Sequence, residues 1–332
     1  MPRLPRPPLR RAARSRAAGI AHVAEPETPN VEIVEYEGLR WINIERPRQI
    51  DRAWLEEHFD FHPLDYEDVY SRNQRPKVDE YEGYLFVVLH FPVYDKRVNR
   101  LNAAEIDIFV GPDFLITLPN APLAPLQYVF DRCRTNEDVR EDMFSKGAGY
   151  LLYKVVDACV DASFPMLRKM GLKLERLEDA IFEEEANREV VRDISNAKQE
   201  IINFRKIVRP QRAALRDLER TKRYVTGELD IYFDDINDAS ERVWDMLENF
   251  KEVVEGLEAT NESVLSHRVN DILRVLTAFS ILLLPQTLIA SIWGMNTHVP
   301  GGGTIGGFWI VISCMLVVTL GMLIYFRRRD WL

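Results

Sequence analysis

No Lys, Arg, Asp or Glu occurs between Arg274 and Arg327 of this 332-residue chain. Over the whole chain 29% of residues are charged and the formal net charge is −9, so the gap is a local property that averages conceal. A stretch of that length without charge is excluded as an ordinary solvated surface. Cysteine is scarce as well: Cys133, Cys159 and Cys314 are widely spaced and form no CxxC pair. That spacing excludes a disulfide framework and a structural zinc site, and three isolated reduced thiols are expected. No GxxxxGK[ST] loop occurs, so the P-loop route to ATP-driven work is excluded. No nucleophile motif is present, His62 and His90 read as structural residues, and neither an enzyme nor an organic cofactor is expected. The acidic run "DIYFDDIND" lacks the glycine of an EF-hand loop. No apolar run of signal-peptide length follows the basic start. Proline is missing between Asp235 and Leu284, so nothing there stops a helix.

What is present divides the chain. Residues 1–28, with six Arg by position 16 and four Pro by position 8, read as a disordered basic tail. The acidic body that follows argues against a nucleic-acid partner. Residues 29–146 read as a small cytoplasmic α/β domain. "VEIVEY" and "LRWINIE", separated by Glu-Gly, predict a strand pair. "IDRAWLEEHFDF" and "PLDYEDVYS" predict short helices, the second opened by Pro63. "YLFVVLHFPVY" and "EIDIFVGPDFLITLP" predict strands turning at Gly111-Pro112-Asp113.

From about residue 124 the pattern is helical, and residues 147–274 read as a long-helix stalk. Leu167, Met170, Leu174, Leu177 and Ile181 form one apolar seam. A second helix spans residues 187–222 and is expected to break or kink at Pro210. A third, starting near Asp235 with a seam of Val243, Met246, Phe250, Val253 and Leu257, is predicted to enter a membrane uninterrupted. Residues 275–293 and 308–326 are each long enough to cross a hydrocarbon core. Arg268 and Arg274 precede the first span, and Arg327, Arg328 and Arg329 follow the second, while residues 294–307 between them carry no basic side chain but His298. The positive-inside rule then puts both termini in the cytoplasm, in a multi-pass protein of the cell (inner or plasma) membrane in contact with lipid.

One hairpin cannot enclose a path, so any transport needs an oligomer. Asn270, Leu273, Thr277, Ser280, Leu284, Thr287 and Ser291 recur at alternating steps of three and four, a single helix face on which only two residues are apolar. Small polar residues also glue helices together, but a whole stripe reads better as a pore lining. It holds no fixed charge, so it suits an ion that keeps its water; Mg²⁺ dehydrates reluctantly. Asn296 at the outer end offers an amide oxygen to that water shell, and Pro285 weakens the bond to the Ile281 carbonyl. Asp95, Asp234, Asp235 and Asp238 are candidates for sensing internal divalent ions.

Two terminal spans joined by Gly294, Met295 and Asn296 and ending in "RRRDWL" resemble the CorA family of divalent-cation transporters. "HPLDYEDVYSRNQRPKVDEYEGYLFVVL", "LLYKVVDACVD" and "NDILRVLTAFSILLLPQTLIASIWGMN" carry the likeness, which covers about residues 31–332. The resemblance implies a funnel-shaped homopentamer: a large N-terminal cytoplasmic α/β domain and a long stalk helix continuing into the first of two C-terminal transmembrane helices. It implies passive, potential-driven transport of hydrated Mg²⁺, with Co²⁺ and Ni²⁺ as further cargo, gated by cytoplasmic divalent ions. It makes Asn296 the outer selectivity element and Asn270, Leu273, Leu276, Leu284 and Thr287 pore-facing. It maps a regulatory Mg²⁺ site, shared between neighbouring subunits, onto Asp95 and Asp235, and a basic inner ring onto Arg274 and Arg327–Arg329. The chain departs from the pattern where the loop lacks an acidic residue, at Gln286 where an apolar residue is usual, and at Ser291 where glycine is common. A zinc transporter of the same superfamily stays open, as does a membrane-anchored scaffold or sensor.

Overall fold

The computed structural model describes residues 28–71, 74–95, 100–183, 187–221, 224, 229–295 and 304–329. The expected basic tail lies almost wholly outside these residues, as do Asn296 and His298.

The chain begins with β1 (Glu32–Tyr36) and β2 (Leu39–Asn43), paired antiparallel. Their turn places Glu37 at φ 49° and Gly38 at φ 87°. Two successive left-handed residues are the geometry that lets a two-residue loop match strand twist, which is why Glu-Gly works there. Helices α1 (Gln49–His58) and α2 (Pro63–Tyr70) follow, then β3 (Lys77–Glu80), β4 (Leu85–Asp95), β5 (Arg100–Val110) and β6 (Phe114–Pro119). The six strands lie in the order β1-β2-β6-β5-β4-β3. Only β2 and β6 run parallel; the other neighbours are antiparallel.

Both sheet faces are covered. Leu85, Val87, Leu89 and Phe91 of β4 point into one core, and Phe86 and Val88 into another beneath α1 and α2. This explains why β4 reads as a continuous apolar run rather than an alternation. The first core is closed by α3 (Ala124–Thr135), α4 (Glu137–Phe144), α5 (Ala148–Asp161) and parts of the later helices. Strand β3 has no periodic signature, being four residues with three charges; its pairing with β4 from Lys77↔Val88 to Glu80↔Leu85 defines it. Beyond its end, the His90 amide donates to the Gln211 side chain at 2.8 Å, which ties the sheet edge to a helix and blunts it.

Three helices form the stalk: α6 (Ser163–Ile181), α7 (Asn187–Arg220) and α8 (Asp230–Trp293). The seam on α6 is buried throughout, from Leu167 to Ile181. Of the break or kink expected at Pro210, the break does not occur: α7 continues through the proline. Ile207, Val208, Ala214, Leu215 and Leu218 are all buried around the proline, and that packing outweighs one lost backbone bond. Helix α8 starts about one turn before Asp235, and its buried seam uses Val254 rather than the exposed Val253. Charge pairs lace α7 to α8: Arg205 with Glu248, and Arg212 and Arg216 with Glu241. Arg205 and Arg212 also lie over the Trp244 ring, at 5.1 and 4.8 Å from its centroid. The last helix among the described residues is α9 (Ile305–Arg328).

Beneath α2 sits a carboxyl of unusual cost. Asp107 of β5 is 2% exposed, and its Oδ1 has no hydrogen-bond partner among the described residues. Burial, followed by the neighbouring Glu105 and Asp68 carboxylates, raises its pKa well above the usual range; Lys77, itself paired with Asp68 and Asp79, opposes this. A carboxyl that holds its proton more tightly when folded loses stability as pH rises above about 4, the value of the unfolded chain. Asp107→Asn is therefore expected to raise the thermal midpoint of the full-length protein near neutral pH, with the gain shrinking as pH is lowered toward about 4. Equal shifts at both pH values would contradict this account.

Candidate functional site

The second part of α8 and the whole of α9 are long and apolar enough to cross a membrane, and only 6% of the most apolar window in each is buried. Within the single chain these helices do not pack as core helices of a soluble fold, which hide their apolar residues. Gly294 caps α8, its amide donating to the Ala290 carbonyl at 2.9 Å. Thr304 caps α9, its hydroxyl accepting from the Gly307 amide at 3.2 Å.

The two helices run antiparallel and meet on one face of α8. Along that face Ala278 is buried and Leu282, Pro285, Gln286 and Ile289 are partly covered. At 100° per residue, Ala278, Leu282 and Ile289 point almost opposite to Leu273, Ser280, Leu284 and Ser291. The polar stripe is thus turned away from α9. Asn270, Leu273, Leu276, Thr277, Ser280, Leu284, Thr287 and Ser291 are all exposed in the single chain.

The stripe's hydroxyls have a defined orientation. Thr277 donates to the Leu273 carbonyl at 2.6 Å, Ser280 to that of Leu276 at 2.9 Å, and Thr287 to that of Leu284 at 2.8 Å. Each hydroxyl gives its only proton to its own helix, so its lone pairs are left to face outward. An outward row of acceptors suits the protons of a cation's water shell. Between these rungs Leu273, Leu276 and Leu284 project apolar side chains, which at an oligomer axis would narrow the path.

Other sequence-designated residues are spread out. Gly294 and Met295 are described, and Met295 is exposed. Asp95 ends β4 opposite Arg100, whereas Asp235 lies exposed in the second turn of α8. Among the described residues of one chain, no group of three or more His, Cys, Asp or Glu is arranged to hold a metal. One acidic residue that sequence reasoning passed over lies within the field of Asp235. Asp157 on α5 is held above the usual carboxylate range, first by burial, then by Asp161, with a further push from Asp235. The same neighbourhood lifts the Tyr153 hydroxyl to about 12, again chiefly by burial. No sequence spacing linked α5 to the start of α8; only the tertiary packing does. Arg274 pairs with Asp271 at 3.6 Å, one turn before Ala278. Arg327 and Arg328 end α9, and Arg329 lies with its guanidinium carbon 6.0 Å from the Tyr325 ring centroid. Gln286 points its amide into the α8–α9 contact, where neither its nitrogen nor its oxygen has a partner among the described residues.

Residues 36–328 match the family model described as CorA-like Mg²⁺ transporter protein. The cobalt/magnesium transport protein CorA of Thermotoga maritima is 31% identical over 88% of this chain and 83% of its own length. The putative metal ion transporter YfjQ of Bacillus subtilis is 29% identical over 88% of this chain and 89% of its own. In fold, the chain is similar to the complete structure of the CorA magnesium transporter from Methanocaldococcus jannaschii, with a TM-score of 0.78 at 22% identity, covering 93% of this chain and 96% of that one. With its soluble N-terminal domain, one long helix reaching into two candidate membrane spans, and this match over nearly its full length, the chain belongs to the CorA-like Mg²⁺ transporter family, whose members are channel-like transporters and not enzymes.

Proposed function

We propose that this chain is one subunit of a homopentameric channel that passes hydrated Mg²⁺, and with it Co²⁺ and Ni²⁺, down the membrane potential. The observation that carries this reading is the outward row of hydroxyl acceptors on the face of α8 opposite α9. Five such faces around an axis make a neutral, polar path with leucine constrictions at Leu273 and Leu284. A neutral wall favours an ion that keeps its water, because no carboxylate is present to repay the cost of stripping it. A +2 ion moving inward gains about 4–5 kcal/mol per 100 mV, so no nucleotide is needed. Asn296 supplies the outer amide ring, residues 294–307 form the outer loop, and both termini lie in the cytoplasm. Residues 29–146 are the cytoplasmic dome and residues 147–274 the stalk through which it acts on the pore. Asp95 and Asp235 bind regulatory Mg²⁺ across neighbouring subunits, and Arg274 with Arg327, Arg328 and Arg329 rings the inner mouth.

The test is flux of Mg²⁺, Co²⁺, Ni²⁺ and Zn²⁺ into liposomes holding the purified full-length protein under an imposed potential. Mg²⁺ uptake should scale with the potential and fall when Mg²⁺ is loaded inside; Asp235→Lys should blunt that inhibition. Background Mg²⁺ flux with Zn²⁺ movement coupled to a proton gradient would identify the zinc-transporting alternative instead. No cation flux at all would leave the hairpin as a tether for a cytoplasmic sensor.

A further inference from the structure

At the Arg329 end of the hairpin, a cavity of about 710 Å³ opens between α8 and α9. Its lining is Ile281 from α8 and Gly321, Met322, Tyr325, Phe326 and Arg329 from α9. The volume falls within the roughly 300–1,000 Å³ typical of small-molecule sites. Phe326 is buried against α8 and forms the floor, while Tyr325 is 59% exposed at the rim. Gly321 deepens the groove, since a Cβ there would meet nothing within 4 Å. The polar groups are confined to one end, where the Arg329 guanidinium sits by the Tyr325 ring. Arg327 and Arg328 end α9 beside Arg329, which makes this end of the helix strongly basic.

An apolar trough with a cationic rim fits an amphiphile, not a free anion, which would leave the trough empty. The rim also stands where the apolar span of α9 ends, at the depth of lipid headgroups. We propose that this groove holds one anionic phospholipid, its acyl chain along Gly321, Met322 and Ile281 and its phosphate on Arg329 and the Tyr325 hydroxyl. Guanidinium–phosphate pairing selects the anionic headgroup, and basic pockets between membrane helices are a known way of doing so. The lipid would brace α9 against α8 at the edge of their contact, beside Thr277 and Leu284. This rests on α8 and α9 spanning the bilayer as proposed above.

The experiment is native mass spectrometry of the full-length protein released from nanodiscs of equal phosphatidylcholine and phosphatidylglycerol. Phosphatidylglycerol should be retained preferentially, at about one molecule per chain. Arg329→Gln should weaken its retention roughly fivefold, as expected for one interfacial cation. Gly321→Phe should fill the groove and abolish retention of either lipid. Equal retention of the two lipids, or unchanged phosphatidylglycerol retention in Arg329→Gln, would overturn the proposal. So would quantitative cross-linking between copies through Gly321→Cys in a Cys314→Ser background, which would show a second copy covering the groove. Both leaflets carry the same lipids, so the result is independent of which face is cytoplasmic and of whether Mg²⁺ passes.

Discussion

Asn296→Ala should lower Mg²⁺ flux in liposomes by about three to four orders of magnitude while the oligomer still assembles. The size follows from what the amide does. One hydrogen bond from an ion's water shell to a neutral acceptor contributes about 1 kcal/mol net. A fivefold ring would lose about five of them at once, and each 1.4 kcal/mol is tenfold. Methyl groups in their place offer the water shell nothing, so the ion meets an apolar mouth before it reaches Thr287. Assembly should survive, because Asn296 lies past the cap of α8 and the extensive buried seams are in the stalk. Size-exclusion chromatography checks assembly and the flux assay checks the mouth. Wild-type flux in an intact oligomer would remove Asn296 from its proposed role.

Phe204→Ala should destabilise the full-length protein by about 3–5 kcal/mol, the usual range for losing a buried phenyl ring. Phe204 is fully buried on α7, inside the core shared with α6 and α8. It also lines a cavity of about 350 Å³ with Leu101, Met166 and Met170. Truncation would enlarge a space that the surrounding helices already fail to fill, so relaxation should recover little of the loss. Phe204→Leu, which keeps most of the volume, should cost under about 1.5 kcal/mol. Urea unfolding followed by far-ultraviolet circular dichroism reads the cost. Equal costs for Ala and Leu would show that the phenyl ring is not what holds the three helices together.

Much of the framework was legible because local chemistry speaks for itself there. Glu-Gly turned β1 into β2, Pro63 opened α2, and the α6 seam pointed inward as its spacing required. Other features were illegible for identifiable reasons. Strand β3 is charged and short, and exists because β4 offers it a ladder. Pro210 carries a local stop signal that burial of its neighbours overrides. Val253 and Val254 are chemically identical neighbours, and only the packing of α8 in the shared stalk core decides which is covered. Asp157 meets the field of Asp235 across some eighty positions of sequence, and no motif spans that separation.

The sequence by itself determined that two charge-free segments lie near the C-terminal end, that a continuous helix could enter the first of them, and that one face of it carries mostly polar residues at steps of three and four. These are properties of composition and period, and they need no partner to be read. Only the tertiary structure decided which way that face looks. Helix α9 packs on Ala278, Leu282 and Ile289, so the stripe is left uncovered, its hydroxyl protons are tied to the helix's own carbonyls, and its oxygens are free for whatever stands opposite. A periodic pattern specifies a face; packing against a second helix specifies what that face is free to meet.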